Sequence, residues 1–314
     1  MKRDEDSWMI QVALLKLTKK LRLIQNWILI HIGEKSTIIK EIITMEKQQT
    51  KLALTKTEDL LAKTLYKAYS TNKSLDIADW TNKVTDEEGA YHVQSQLMEL
   101  KNEAVGGYKV SLTSEETQKM FDSHSPLYGA QVESRFLRSP ATFSLNKMLE
   151  PLVEVELVFR VEKELTNADS LEELMQKTSV AGALEVPDCR FKDWFPSLEK
   201  NLVVSDAAVG GLVVVGDLFP TTVVFENVKS VANVHCTLRF ESETLKKGHS
   251  SEVLGNPLNS LQWLVTKLQQ HGKKLSVGQY VSTGTFILPP KLKEGTWVTR
   301  FDNGLGEVKL TVTK

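Results

Sequence analysis

The hydrophobic period of this chain changes at Gly106-Gly107. Ahead of that point apolar residues recur three and four positions apart: Leu61, Leu65 and Ala68 in TEDLLAKTLYKAY, then Ala90, Val93, Leu97 and Leu100. Both runs read as amphipathic helices, the first beginning at Thr57 and the second behind the capping-box pattern Thr85-Asp86-Glu87-Glu88. Beyond the glycines the period is two, with Tyr108, Val110 and Leu112 on one face and Lys109, Ser111 and Thr113 on the other. The alternation returns in LVEVELVFRVE over 152–162, where Val153, Val155, Leu157, Phe159 and Val161 face one way and Glu154, Glu156 and Arg160 the other. Further strands are expected over 181–186, 212–215 and 231–238, and a closing hairpin joins 297–301 to 307–312 through Asp302-Asn303-Gly304. One helix interrupts them: Asn256 caps it, Pro257 fits its first turn, Leu258, Leu261, Leu264, Val265 and Leu268 give it an apolar face, and Gly272 ends it. Helices gathered ahead of strands, without regular alternation, predict an α+β fold over a doubly wound α/β sheet.

The first 44 residues stand apart. Residues 21–32, LRLIQNWILIHI, are the most apolar stretch, but a dozen positions broken by Arg22, Gln25 and Asn26 fall short of the roughly 20 that a bilayer span needs. Lys2 and Arg3 are followed at once by Asp4, Glu5 and Asp6, and no small-residue cleavage site follows the apolar run, so export is not expected. Leu14, Leu17, Leu21, Ile24 and Ile28 recur at helical spacing, which suits a helix packed on the body or on a partner. The expected organisation is a dispensable extension over 1–50, a helical part over 51–105 and a β-rich part over 106–314, with the functional body opening near Met45.

Composition narrows the function classes. The chain has 314 residues, 41% of them apolar, enough for a sizeable core. A formal charge of −1 gives no overall field to attract nucleic acid or an acidic membrane, and neither partner is expected. Two cysteines, Cys189 and Cys236, make no disulfide framework and no cysteine-based zinc site, which points to a reduced, cytoplasmic setting. Six histidines show no H-x-H or H-E-x-x-H spacing, and no dinucleotide, Walker or serine-hydrolase motif occurs. Cys189 has no motif around it and reads as a structural thiol.

Glu154 and Glu156 are the residues most suggestive of chemistry. Two positions apart in a strand they share a face about 6.7 Å apart, and burial of two such anions is costly unless a cation or a proton neutralises them. Mg²⁺ or Mn²⁺ would do so and would keep open positions for an anionic substrate. The plainer reading of an isolated Glu-x-Glu is a solvated strand face balanced by Arg160 or Lys163.

The order of several further motifs resembles the 2-keto-4-pentenoate hydratase and 4-oxalocrotonate decarboxylase group of the fumarylacetoacetate hydrolase superfamily, over residues 55–314. It rests on Gly107-Tyr108-Lys109-Val110-Ser111-Leu112-Thr113-Ser114, Pro126-Leu127-Tyr128-Gly129, Glu154-Val155-Glu156, Ala183-Leu184-Glu185-Val186-Pro187-Asp188-Cys189-Arg190, Gly255-Asn256-Pro257-Leu258 and Val281-Ser282-Thr283-Gly284. The resemblance implies a mixed β-roll or sandwich of the superfamily's C-terminal-domain type behind the helical part. It implies Mg²⁺ or Mn²⁺ on Glu154, Glu156 and Glu185, with catalytic Lys109 beside the metal as a proton-transfer or charge-stabilising group, its pKa lowered by the cation. Substrate contacts are implied for Ser111, Tyr128, Asp206, Thr283 and Gly284. A lysine merely paired with Glu154 or Glu156 is the plainer reading of Lys109.

The activity so implied is hydration of a 2-hydroxypenta-2,4-dienoate-type acid in aromatic meta-cleavage catabolism. Two departures keep alternatives open. Hydratases of the group usually carry Pro-Asp-Phe-Gly where this chain has Pro126-Leu127-Tyr128-Gly129, so a carboxylate is absent and Leu127 is closer to the decarboxylase branch. Ser205-Asp206-Ala207-Ala208-Val209 keeps only Asp206 in register with the usual Ala-Asp-Asn-Ala-Ser. Decarboxylation of a 4-oxalocrotonate-type diacid, or a catalytically silent role as a 2-oxo-acid-binding protein or partner subunit, are the competing expectations. The resemblance also implies a homo-oligomer, or assembly with a related hydratase or decarboxylase subunit.

Overall fold

A computed structural model describes Leu21 and residues 54–314. The chain divides into two units, Met1–Ala53 and Leu54–Lys314. The expected helix through Leu14 to Ile28 and the opening of the body at Met45 lie outside the described residues.

Helix α1 (Lys56–Thr71) is capped by Thr55, where Thr57 was expected to begin it. The Glu58 N–H donates to Thr55 Oγ1 at 3.2 Å and the Thr55 N–H donates to the Glu58 carboxylate at 2.7 Å. Satisfying two otherwise orphaned donors at once is what favours this start. Helix α2 (Glu87–Lys101) is capped by Asp86 and not by Thr85, the Gly89 N–H donating to Asp86 Oδ1 at 2.7 Å. Both helices end on an asparagine in the left-handed region, Asn72 and Asn102. Leu61 and Leu65 of α1 are buried, as are Ala90, Val93 and Leu97 of α2, so the helical stripes read from the sequence are the packed faces.

Thirteen strands follow: β1 (Val105–Ser111), β2 (Leu127–Val132), β3 (Phe136–Arg138), β4 (Ala141–Ser144), β5 (Glu154–Val161), β6 (Thr178–Val186), β7 (Leu212–Val215), β8 (Phe219–Pro220), β9 (His235–Phe240), β10 (Glu243–His249), β11 (Tyr280–Ser282), β12 (Gly295–Phe301) and β13 (Glu307–Thr313). Helix α3 (Pro257–Gln270) lies between β10 and β11, with Asn256 Oδ1 accepting from the Leu258 N–H at 2.9 Å and Pro257 in its first turn, as expected. The strand expected over 231–238 begins only at His235, because Asn227 caps a helical turn over Val228–Val231. The architecture is mixed α+β. Among the described residues no helix is long and apolar enough to cross a membrane.

Eight strands form one sheet in the order β2-β1-β11-β5-β6-β7-β3, with β8 on β6, and five form a second in the order β10-β9-β12-β13-β4. The two faces of the larger sheet differ in chemistry. On one, Tyr128, Val110, Val281, Val155, Leu157 and Leu184 join the main core, where Tyr91 of α2 stacks on Tyr128 at 4.5 Å. The other carries Lys109, Ser282, Glu154, Glu156 and Glu185, beside a smaller apolar group of Val158, Ala181, Ala183, Val213 and Val215. Strand alternation dictates this split: each residue sent to the core sends its neighbours to the opposite face, where they are charged or polar at the Lys109 and glutamate positions.

Candidate metal centre and active-site cavity

Register assembles the site. In the antiparallel pair β5–β6, Glu154 stands opposite Glu185, and Glu156 lies two residues further along β5 on the same face. β11 separates β5 from β1 and brings Ser282 into register with Lys109. One carboxylate oxygen from each of Glu154, Glu156 and Glu185 falls within 4.8 Å of the others, and no other such cluster of acidic, histidine or cysteine side chains occurs among the described residues.

The polar contacts are few for so much buried charge. Lys109 Nζ is ion-paired with Glu185 Oε1 and lies 3.9 Å from Glu154 Oε2. Glu156 Oε2 accepts from Ser282 Oγ at 2.6 Å and from the Gly284 N–H at 2.9 Å. Gly284 has φ +119, and a Cβ there would stand 2.2 Å from Thr113 Oγ1, so only glycine brings this N–H to the carboxylate. Glu185 Oε2 is buried with no hydrogen-bond partner. One ammonium facing three carboxylates leaves two negative charges uncompensated when all are ionised. Burial therefore pushes Glu154 up to about 7, with Lys109 opposing and Glu185 adding to the rise. Burial, then the charges of Glu185 and Glu154, push Glu156 well above the carboxylate range. Burial alone would lower Lys109, but the charges of Glu185 and Glu154 outweigh it and hold the ammonium above its ordinary value. In the protein alone the direction is thus opposite to the lowering expected beside a cation.

A divalent ion fits this donor set. It would cancel the two surplus charges, and it would give the partnerless Glu185 oxygen something to bind. Oxygen-only donors suit Mg²⁺ or Mn²⁺.

A cavity of about 60 Å³ adjoins the cluster. Lys109, Glu154, Glu156, Ser111 and Gly284 form its polar side, while Phe121, Trp194, Phe195, Val203 and Val209 contribute apolar walls. The chain turns into it at Leu112, which takes φ 57, and Ser114 then caps the short helix Glu115–Met120 that carries Thr117 to the cavity.

Of the residues expected at the site, the structure brings together Lys109, Glu154, Glu156 and Glu185, with Ser111 and Gly284 on the cavity wall. Three side chains expected to touch substrate are engaged elsewhere. Tyr128 faces Val110 in the β1–β2 register, on the opposite face of the sheet from Lys109, and its Oη hydrogen-bonds His271 Nδ1 at 2.8 Å. Thr283 Oγ1 donates to the Leu157 carbonyl at 2.8 Å. Asp206 is wholly buried in an ion pair with Arg190, Nε to Oδ1 at 2.6 Å. Cys189 is buried, and burial followed by the charge of Asp206 pushes its thiol well up, in keeping with a structural role.

Sequence reading missed Ser282, which orients Glu156, and the aromatic wall of Phe121, Trp194 and Phe195. A signal for Ser282 was present in the spacing: Ser282 and Gly284 share a strand-like alternation that excludes Thr283.

No family model matches the chain. It is 31% identical over 231 residues to a 2-keto-4-pentenoate hydratase of Burkholderia vietnamiensis, covering 72% of this chain and 86% of that protein. It is 30% identical over 196 residues to a 2-hydroxypent-2,4-dienoate hydratase of Pseudomonas putida, covering 59% of this chain and 83% of that protein. Among solved structures, 4-oxalocrotonate decarboxylase from Pseudomonas putida G7, complexed with magnesium and adipate, superposes with a TM-score of 0.75 at 20% identity, covering 83% of this chain and 99% of that one. That superposition extends the likeness in sequence to the fold over 83% of this chain. A chain so matched over most of its relative's length belongs to the 2-keto-4-pentenoate hydratase and 4-oxalocrotonate decarboxylase group of the fumarylacetoacetate hydrolase superfamily.

Proposed function

We propose that this chain is a divalent-metal-dependent carbon–oxygen lyase that adds water to 2-hydroxypenta-2,4-dienoate-type acids in aromatic meta-cleavage catabolism. The observation that carries the reading is the triad of buried Glu156 and Glu185 with half-buried Glu154, short of positive charge and with one carboxylate oxygen unpartnered. These three would hold Mg²⁺ or Mn²⁺. When bound, the ion supplies positive charge that polarises the substrate's carboxylate and 2-oxygen.

The chain's own groups do the rest. Lys109 is the catalytic group that holds and moves a proton at Nζ, kept in reach by Glu185 and Glu154. Ser282 and the Gly284 N–H fix the Glu156 carboxylate, and Ser111 and the Gly284 backbone form the wall against which the substrate carboxylate lies. The apolar walls keep bulk water from the diene. In balance, the 2-hydroxyl gives up its proton as the C2 carbonyl forms and a proton enters at C5. The oxygen of water then bonds C4, and its proton goes to C3.

A second reading is decarboxylation of a 4-oxalocrotonate-type diacid. Leu127 favours it: in the β1–β2 register it stands opposite Ser111, on the site's face of the sheet, where a hydratase of the group would carry a carboxylate. The same proposal takes the two sheets as the β-roll of the superfamily's C-terminal-domain type. It takes residues 1–50 as a dispensable extension to a helical part over 51–105 and a catalytic part over 106–314. The protein would work in the cytoplasm as a homo-oligomer, alone or with a related hydratase or decarboxylase subunit.

The test is loss of dienoate ultraviolet absorbance with Mg²⁺ or Mn²⁺, repeated with chelator and with Glu154→Ala, both of which should abolish turnover. Equal turnover in chelator would exclude the metal mechanism. Release of CO₂ from the diacid would favour the second reading, and tight pyruvate or oxalate binding without turnover of any dienoate would leave a binding protein.

A further inference from the structure

Ala207, Ala208 and Val209 take φ values of 52, 53 and 51 in succession. Left-handed backbone is disfavoured for any residue with a Cβ, and most of all for a β-branched one. A turn that served only to connect the helix Lys200–Ser205 to β7 would be relieved by glycine or asparagine at these positions. Val209 is instead the one of the three that lines the cavity, as Val203 and Trp194 also do. The strained backbone therefore delivers an apolar side chain to one place.

The turn is held from both ends by one guanidinium. Arg190 donates through Nε to Asp206 Oδ1 at 2.6 Å, through its backbone N–H to Oδ2 at 2.9 Å, through Nη2 to the Asp206 carbonyl at 3.1 Å and through Nη1 to the Gly210 carbonyl at 2.8 Å. The Asp188 N–H donates to the Val209 carbonyl at 2.8 Å, and Gln131 Nε2 donates to the Ala207 carbonyl at 3.3 Å. The Ala207 carbonyl is seated on Gly129, where a Cβ would stand only 1.9 Å from it. Gly129 is the register partner of Lys109, so the turn is fastened directly to the strand pair that carries the site's ammonium.

We infer that Arg190 is a positioning residue that fixes Val209 in the cavity wall, and that Val209 thereby selects substrates whose far end is an uncharged hydrocarbon. This rests on the reading of the glutamate cluster as the metal and 2-oxo-acid site. Lys109, already committed to Glu185 and Glu154, is the one cationic side chain among the described residues lining the cavity. A second carboxylate at the substrate's far end would lose its water and meet Val203, Val209 and Trp194 with no counter-charge.

The experiment is titration calorimetry on the full chain with Mn²⁺, using pyruvate, 2-oxopentanoate and 2-oxoglutarate. The last two have the same number of carbons and differ in the terminal carboxylate. Wild-type protein should bind 2-oxopentanoate at least about tenfold more tightly than 2-oxoglutarate; a smaller preference overturns the inference. Arg190→Lys, which keeps the charge but lacks the fork that reaches both carbonyls, should reduce that ratio at least about threefold. Val209→Asn should reduce it likewise in a protein that still folds, because asparagine tolerates left-handed backbone. That second variant decides the matter where Arg190→Lys fails to fold. A folded Arg190→Lys protein with an unchanged ratio removes the positioning role, and an unchanged ratio in Val209→Asn removes the selectivity. Failure of pyruvate to bind wild-type protein with Mn²⁺ overturns the site reading and the inference with it. Pyruvate binding without discrimination between the five-carbon acids overturns the inference alone.

Discussion

Glu154 and Glu185 face each other across β5 and β6 as register partners. Side chains alternate with a period of two, so a slip of one residue in this pairing would send one of the two carboxylates to the core side of the sheet. The packing of Val155, Leu157 and Leu184 into the main core sets the register and with it the site. Charge chemistry on one face is thus fixed by hydrophobic packing on the other.

Lys109→Met should destabilise the metal-free protein by about 3–5 kcal/mol, because it leaves Glu185 buried, and Glu154 beside it, without their cation. Added Mn²⁺ should recover a larger part of the melting temperature in this variant than in the wild type. Thermal unfolding with chelator and with Mn²⁺ checks both. An equal gain on adding metal would show that the ion does not take over the compensation of these carboxylates.

Ser282→Ala removes the shorter of the two hydrogen bonds to Glu156 Oε2. Loss of an orienting partner typically weakens a metal site about 10–100-fold. Mn²⁺ affinity of the variant should fall into that range without a comparable loss of fold stability. An unchanged affinity would place the metal away from Glu156.

His271 supplies a pH dependence of stability. Burial, followed by the charges of Lys267 and Lys273, pulls it from 6.5 down to about 4, and its Nδ1 is 2.8 Å from the Tyr128 hydroxyl. Between pH 6.5 and about 4 the unfolded chain takes up this proton and the folded chain does not, so stability should fall as pH drops through that window. Melting temperatures measured from pH 7 to 4 should flatten in His271→Gln. A slope identical to that of the wild type would assign the acid sensitivity elsewhere.

A chain beginning at Met45 should fold and turn substrate over as the full chain does, since the glutamate cluster and cavity are built from residues of the unit Leu54–Lys314. Circular dichroism and the dienoate assay compare the two. Loss of both fold and activity would make the first 44 residues integral.

What the sequence made legible was set by period. The alternation over 152–162 placed Glu154 and Glu156 together, and the helical spacing of Leu61 and Leu65 named the buried stripe of α1. Periodicity says nothing of which strands pair, so Glu185 reached the site only by resemblance, and Lys109 was left with two readings. Resemblance placed Asp206 among the substrate contacts, and the structure engages its carboxylate with Arg190, a pairing made across the chain that no local pattern reveals. Ser282 went unnamed as a site residue for a related reason: the direction in which β11 faces follows from its pairing with β1 and β5. The caps shifted by one or two positions, from Thr57 to Thr55 and from Thr85 to Asp86, since neighbouring polar residues compete for the same role.

The ammonium of Lys109 has a consequence for how such a protein comes into being. It is a counterion that ribosomal synthesis supplies, tethered to the β1 backbone and already pressed against Glu185. Strands bearing three acidic groups can therefore close on one another before any inorganic ion is at hand. Loading is then an exchange at a finished site, open to the fluctuating supply of metal in a cell.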